Sequence, residues 1–343
     1  MNSKDFVVIG ENIHTTRVFL RSGKRVGNDL EGNESVLYKT PKGQDSFLNI
    51  PEEFKSTKTY QEGRIKHFMV AVSVGMSNSK IHQDKAKDYI ASEIYRQERA
   101  GSTFLDLNVD EISYKIDIQK SAMKWLVEFY STVAKVPPSI DSSSPEIIKV
   151  GLEEYSKRGF PQGAPMINSA SLERLDVLDI AEHYNTNVVI TSAGDSGMPS
   201  NALERLENAS LMMDSCQDRN ISHQRIHIDP LVFPISVDQT FGNDYLDAVR
   251  NMRDEFGPDV YITGGLSNVS FGLPGRKVIN DTFIRLAIEA GVNSGIVNPI
   301  ESRIERILNL DMSREEIQLA KAMLIGEDEF CMNFIKSYRD GKI

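Results

Sequence analysis

Val260-Tyr-Ile-Thr-Gly-Gly-Leu-Ser-Asn-Val-Ser-Phe-Gly-Leu-Pro-Gly-Arg-Lys-Val-Ile-Asn280 sets the reading of the whole chain. Val260 to Thr263 is a β-branched and aromatic run of strand length. Gly264 and Gly265 end it, because glycine turns the backbone without a Cβ penalty. Three short polar side chains, Ser267, Asn268 and Ser270, stand just past the strand end. Gly272, Pro274 and Gly275 mark a loop that Arg276 closes, and an amphipathic helix is predicted from Lys277. The unit is therefore strand, polar turn, helix.

The same unit recurs outward in both directions. Strands are predicted at Phe6–Gly10, Thr103–Asn108, Val136–Asp141, Pro165–Asn168, Asn187–Thr191, Arg225–Asp229, Val260–Thr263 and Ser294–Asn298, eight in all, each followed by a helical pattern. Eight repeats of strand and helix predict a (β/α)8 TIM barrel, with an open doubly wound sheet as the other arrangement. The open sheet normally carries a Gly-rich phosphate loop after its first strand, whereas Gly-Glu-Asn-Ile-His follows here. Residues 18–80 break the rhythm and read as an insertion after the first strand, with hairpin-like pieces and a strand at Phe68–Gly75. The insertion is expected over the barrel mouth. Residues 301–343 read as closing C-terminal helices on a single domain of 1–343.

Composition narrows the classes. The 343 residues carry a net charge of −10, with 40% hydrophobic and 26% charged residues, as in ordinary globular proteins. That charge argues against a nucleic-acid surface. Two cysteines, Cys216 and Cys331, form no metal-ligand pattern, so no structural zinc or iron–sulfur site is expected, and reduced thiols point to the cytoplasm. No signal-peptide core and no membrane-length apolar run is read.

The predicted strand ends share one chemistry: Asn12, Asp106, Asn108, Asp141, Asn168, Asp229 and Asn268 are amides and carboxylates. Buried carboxylates need donors. The 2-amino-4-oxo edge of a pterin presents several N–H groups, and Asp and Asn match them. A hydrated Mg²⁺ is the competing use of such residues. Three of the candidates have a structural use as well: Asp229 before Pro230 as a turn former, Asn168 as a helix cap and Arg276 as a surface ion-pair partner.

Five local sequences in this order, Phe104-Leu-Asp-Leu-Asn-Val109, Ser139-Ile-Asp-Ser-Ser143, Pro165-Met-Ile-Asn-Ser169, His227-Ile-Asp-Pro-Leu231 and Gly265-Leu-Ser-Asn-Val-Ser270 with Arg276 and Ile279-Asn280, resemble the pterin-binding methyltransferases, relatives of dihydropteroate synthase. The likeness is greatest to methyltetrahydrofolate:corrinoid methyltransferases and to the folate module of cobalamin-dependent methionine synthase. It implies pterin binding by Asp141, Asn168 and Asp229, with Asp106 and Asn108 lining the same pocket, and catalytic roles for Asn268, at N5, and Arg276. It further implies tetrahydrofolate or 5-methyltetrahydrofolate as substrate, a corrinoid (cobalamin) carried by a partner protein, and a homodimer. The methyl group moves between N5 and cobalt in a direction the residues leave open. A corrinoid-independent tetrahydrofolate demethylase and a non-catalytic folate-binding subunit are the alternatives. The Ser-Arg-Lys triplet and the Asn-Thr-Pro-Asp-Ser-Phe loop of dihydropteroate synthases are absent, which disfavours pyrophosphate displacement.

Overall fold

The computed structural model describes residues 2–195 and 197–343. Eight strands form one sheet: β1 (Val7–His14), β2 (Phe104–Asn108), β3 (Pro138–Asp141), β4 (Met166–Ala170), β5 (Asn187–Thr191), β6 (Ile226–Asp229), β7 (Tyr261–Ile262) and β8 (Ser294–Val297). Their order is β7-β6-β5-β4-β3-β2-β1-β8. β7 and β8, at the two ends of that order, are joined by a parallel bridge between Gly265 and Ile296 and by the Ile296 N–H donating to the Gly264 carbonyl at 2.9 Å. The sheet is thus a (β/α)8 barrel. Every residue of β2 and of β6 is buried, as expected for parallel strands covered on both faces.

By contacts the chain divides into two compact units, Gly10–Met166 and the residues up to Ile9 together with Ile167–Ile343. In Gly10–Met166, β2 and β3 pair in parallel, with Asp106 opposite Ser139 and Asn108 opposite Asp141. Helices α1 (His67–Gly75), α2 (Lys80–Arg99), α3 (Ile116–Val133) and α4 (Pro145–Ser156) belong to this unit. Residues 26–28, 34–39 and 45–49 form a three-stranded antiparallel sheet. It packs on α2: the Tyr38 hydroxyl donates to the Lys85 carbonyl at 3.2 Å, and Lys85 lies 3.9 Å over the Phe47 ring.

The expected strand at Phe68–Gly75 is instead helix α1. Phe68, Val70, Ala71, Val72 and Val74 are all buried, and a run buried on every side has no period to separate helix from strand. The first strand also runs past Gly10 to His14. Glycine is needed there for close approach rather than for a turn, since a Cβ would lie 2.6 Å from Gln97 Oε1 and 2.8 Å from Leu105 Cδ2.

In the other unit, β5 and β6 pair with Thr191 opposite Asp229, and β6 and β7 with Ile228 opposite Ile262. The helices are α5 (Asp176–His183), α6 (Ala202–Asp218), α7 (Phe241–Phe256), α8 (Arg276–Ala290), α9 (Ile304–Leu308), α10 (Glu315–Leu324) and α11 (Met332–Arg339). Buried Asp281 on α8 binds Arg306 through two nitrogens, at 2.7 and 3.0 Å, and Lys277 at 2.8 Å. The Arg306 bonds tie α9 to the helix that follows β7, while the Lys277 bond lies within that helix. No helix among the described residues is long and apolar enough to cross a membrane.

Gly242, in the first turn of α7, shows how closely the helices meet: a Cβ there would stand 2.1 Å from the Leu324 carbonyl oxygen at the end of α10. Alanine in a helix normally gains up to about 1 kcal/mol over glycine. Here Gly242→Ala is expected to lose about 2 kcal/mol or more, because the obstacle is backbone. Urea unfolding measures this, and a variant as stable as the parent would contradict the packing.

Candidate active site

The predicted site residues fall into two clusters, one in each unit. In Gly10–Met166 the parallel register of β2 and β3 brings Asn108 beside Asp141. Asn108 Nδ2 donates to Asp141 Oδ2 at 3.0 Å, and its Oδ1 accepts the Asp110 N–H at 3.0 Å. The amide is thereby fixed, with its nitrogen toward the carboxylate. Asp106 is 2% exposed on the same strand. Asp110 accepts from Ser142 Oγ at 2.6 Å and from the Ser143 N–H and Oγ, each at 2.9 Å. The turn after β2 is therefore clasped to the turn after β3.

His14, absent from the predicted set, joins this cluster. Its Nε2 lies 3.3 Å from Asp141 Oδ2. Its Nδ1 accepts the Thr16 backbone N–H at 3.2 Å. A backbone N–H can only donate, so in the neutral ring the proton sits on Nε2, facing Asp141. Burial, the largest influence, lowers the His14 pKa, with Asp106 opposing it. Asp141 is thus held by two donors, Asn108 and His14. Asn12, by contrast, is tied through its backbone N–H to Gln97 Oε1 at 3.0 Å.

In the other unit Asp229 ends β6 and is 9% exposed. Oδ1 accepts the Leu231 N–H at 2.8 Å. Burial pushes its pKa from an ordinary 3.8 up to about 6, against the pull of that N–H and of Arg205. Arg205, from α6, is fully buried, a residue that sequence reasoning missed. Its Nε donates to the Pro230 carbonyl at 2.8 Å and its guanidinium lies 5.0 Å from the Phe233 ring centre. Neither terminal nitrogen has a hydrogen-bond partner among the described residues. The signal was present: Arg205 occupies the apolar stripe of α6 that continues through Ala209, Met212 and Cys216.

Asn168 is half-buried on β4, where Arg174 donates to the neighbouring Ser169 Oγ at 3.4 Å. Asn268 lies exposed in a short 3-10 turn, Leu266–Ser270. A Cβ on Gly265 would come within 2.8 Å of Asn268 Nδ2, so the glycine lets the amide fold back over the strand end. Among the described residues Arg276 is placed in no ion pair. Its Nε donates to Ser270 Oγ at 3.0 Å and a terminal nitrogen to the Ser267 carbonyl at 2.9 Å. It braces the turn that carries Asn268.

With barrel and strand-end chemistry defined, the comparisons with known proteins become specific. The model of the pterin-binding enzyme family matches residues 65–298, more than half of the chain. The chain belongs to the pterin-binding enzyme family. It is 28% identical over 270 residues to a methylcorrinoid:tetrahydrofolate methyltransferase of Eubacterium limosum, covering 77% of this chain and 92% of that one. It is also 28% identical to a methionine synthase of Mycobacterium leprae over 75% of this chain, but only 22% of that larger protein. Among solved structures, Yersinia pestis dihydropteroate synthase with a pterine–sulfa conjugate superposes with a TM-score of 0.52 at 16% identity, over 65% of this chain and 87% of that one. Such a likeness speaks for the barrel alone.

Asp229 yields a prediction about stability. Its folded pKa of about 6 exceeds the unfolded value of 3.8, so the unfolded chain ionises first as pH rises. The stability associated with the protonated form is complete below about pH 4 and lost by about pH 6. Asp229→Asn is therefore expected to gain roughly 1–3 kcal/mol relative to the wild type between pH 4 and 7. Paired urea titrations at the two pH values measure the difference. A pH-independent difference would mean that the carboxyl titrates normally.

Proposed function

We propose that this enzyme is a methyltransferase that moves a methyl group between N5 of tetrahydrofolate and a corrinoid carried by a separate protein. The observation that carries the reading is the set of buried carboxylates at strand ends. Asp229, 9% exposed at the end of β6, is held near a pKa of 6 by burial. Burying such groups requires donors, and the N–H-rich edge of a pterin supplies them. The Eubacterium limosum relative, matched over 92% of its length, supports the corrinoid-linked chemistry.

The residues divide into binding and transfer roles. Asp141, with Asp106 and Asn108, and Asp229, with Asn168, are the proposed pterin-binding groups. Asn108 and His14 orient the Asp141 carboxylate. Asn268 is the proposed contact to N5. In the direction that releases methyl, N5 must gain a proton to become a good leaving group. A hydrogen bond from Asn268 that strengthens as N5 changes charge stabilises the transition state more than the ground state. Arg276 acts through the turn it braces, by fixing Asn268. The corrinoid, when its carrier docks, supplies the cobalt that accepts or donates the methyl group. A cytoplasmic setting belongs to the same proposal, in keeping with two free cysteines, both buried.

Titration with tetrahydrofolate and 5-methyltetrahydrofolate, followed by a spectral assay of methyl exchange with cobalamin, tests the reading. Binding with exchange is expected; absence of folate binding would end it, and binding without exchange would favour a corrinoid-independent demethylase. Asp141→Ala is expected to reduce folate affinity by about 100-fold, because ligand donors are left buried and unpaired. Asn268→Ala should slow transfer about 100-fold with affinity changed less than about threefold. Equal losses in both quantities would refute the transition-state role.

A further inference from the structure

A cavity of about 650 Å³ lies between the three-stranded sheet of the insertion and the last two turns of α2. That is the size of a small-molecule site. Five cationic side chains line it, Lys24, Arg25, Lys39, Arg96 and Arg99, against one carboxylate, Asp45. The chain as a whole carries −10, so the local sign is inverted.

The cations are only partly neutralised. Arg25 and Arg96 both bond to the single oxygen Glu93 Oε1, each at 2.8 Å, and that carboxylate is buried beneath them. Two guanidinium groups thus share one negative charge. Lys39 pairs with Asp45 at 2.7 Å. Among the described residues Lys24 and Arg99 are placed in no ion pair, and both are exposed. Arg96 and Arg99 alone would do no more than offset the negative end of the α2 dipole. Lys24, Arg25 and Lys39, however, come from a different part of the chain and converge on the same space. Arg25 is held ready: its Nε donates to the Leu37 carbonyl at 3.0 Å and its guanidinium lies 4.7 Å over the Phe19 ring. Tyr95 adds a partly exposed ring to the lining.

The cavity is separate from the polar strand-end cluster. α2 ends at Arg99, and β2 begins only at Phe104 after a tight turn at Gly101. The last turns of α2 therefore adjoin the start of β2, whereas Asp106 and Asn108 lie toward its far end. We propose that this cavity is a second ligand site, for a small molecule bearing two or more phosphate or carboxylate groups, distinct from the site of methyl transfer. The excess charge supplies attraction, and the fixed guanidinium of Arg25 supplies directed donors.

Calorimetric titration of the full chain with sodium pyrophosphate and, separately, citrate tests this, at low and high salt. At least one probe is expected to bind with a Kd below about 1 mM at low salt and more weakly at high salt. Binding of pyrophosphate alone assigns phosphate ligands, and of citrate alone carboxylates. Lys24→Glu and Arg99→Glu, both exposed substitutions, should each raise the Kd about tenfold. Lys58→Glu, an exposed cation of the same insertion outside the cavity, should alter it less than about twofold. Failure of both probes to bind, or an unchanged Kd in both cavity variants, overturns the proposal.

Discussion

The backbone of Gly264 and Gly265 is where the sheet closes and where two of the polar groups acquire their positions. The Gly264 carbonyl accepts the Ile296 N–H, which joins the two ends of the strand order. A side chain at Gly264, whose φ is +156°, would press against Tyr245 Oη at 3.0 Å and Asp229 Oδ1 at 3.2 Å. A side chain at Gly265 would collide with Asn268. Closure of the barrel, burial of Asp229 and placement of Asn268 therefore share a requirement for bare backbone at two successive residues. Tyr245 adds to it by donating its hydroxyl to the Thr263 carbonyl at 2.7 Å.

Around that closure the protein keeps polar groups buried at a cost in stability. An acidic chain that hides carboxylates does not do so for folding alone, since burial disfavours their charged form. The two clusters manage the problem differently. Asp141 is supplied with two donors from its own unit, an amide and an imidazole. Asp229 receives one backbone N–H and the field of a buried arginine, and remains raised in pKa. A ligand edge offering N–H groups would relieve the second arrangement more than the first.

Much of this was legible in the sequence, for particular reasons. Parallel strands buried on both faces read as short β-branched runs, and the glycine and proline punctuation between them fixed the helix starts. Five of the predicted site residues, Asp106, Asn108, Asp141, Asn168 and Asp229, lie in β2, β3, β4 and β6 because a strand-end residue is visible once the strand is. The rest escaped through tertiary packing. Phe68–Gly75 is apolar on every side, and its helix follows from burial rather than period. Gly10 looked like a stop signal but is a contact point, which hid the strand position of His14. Arg205 sits where an apolar residue belongs, and only the packing around Pro230 and Phe233 explains its presence. The bonds of Arg276 run to the turn before it, a partnership that spacing along the chain does not display.

The division of the chain has a bearing on the order in which it is made. Gly10–Met166 is one continuous stretch, whereas the other unit is made of two separate pieces of the chain. The first residues of β1 belong to the other unit, where the Val7 N–H donates to the Asn293 carbonyl at 2.9 Å. The start of β1 therefore lacks that partner until Asn293 has been added. Making that bond is a step between residues far apart in sequence, of the kind that slows folding, because the intervening loop must be ordered before the contact repays it.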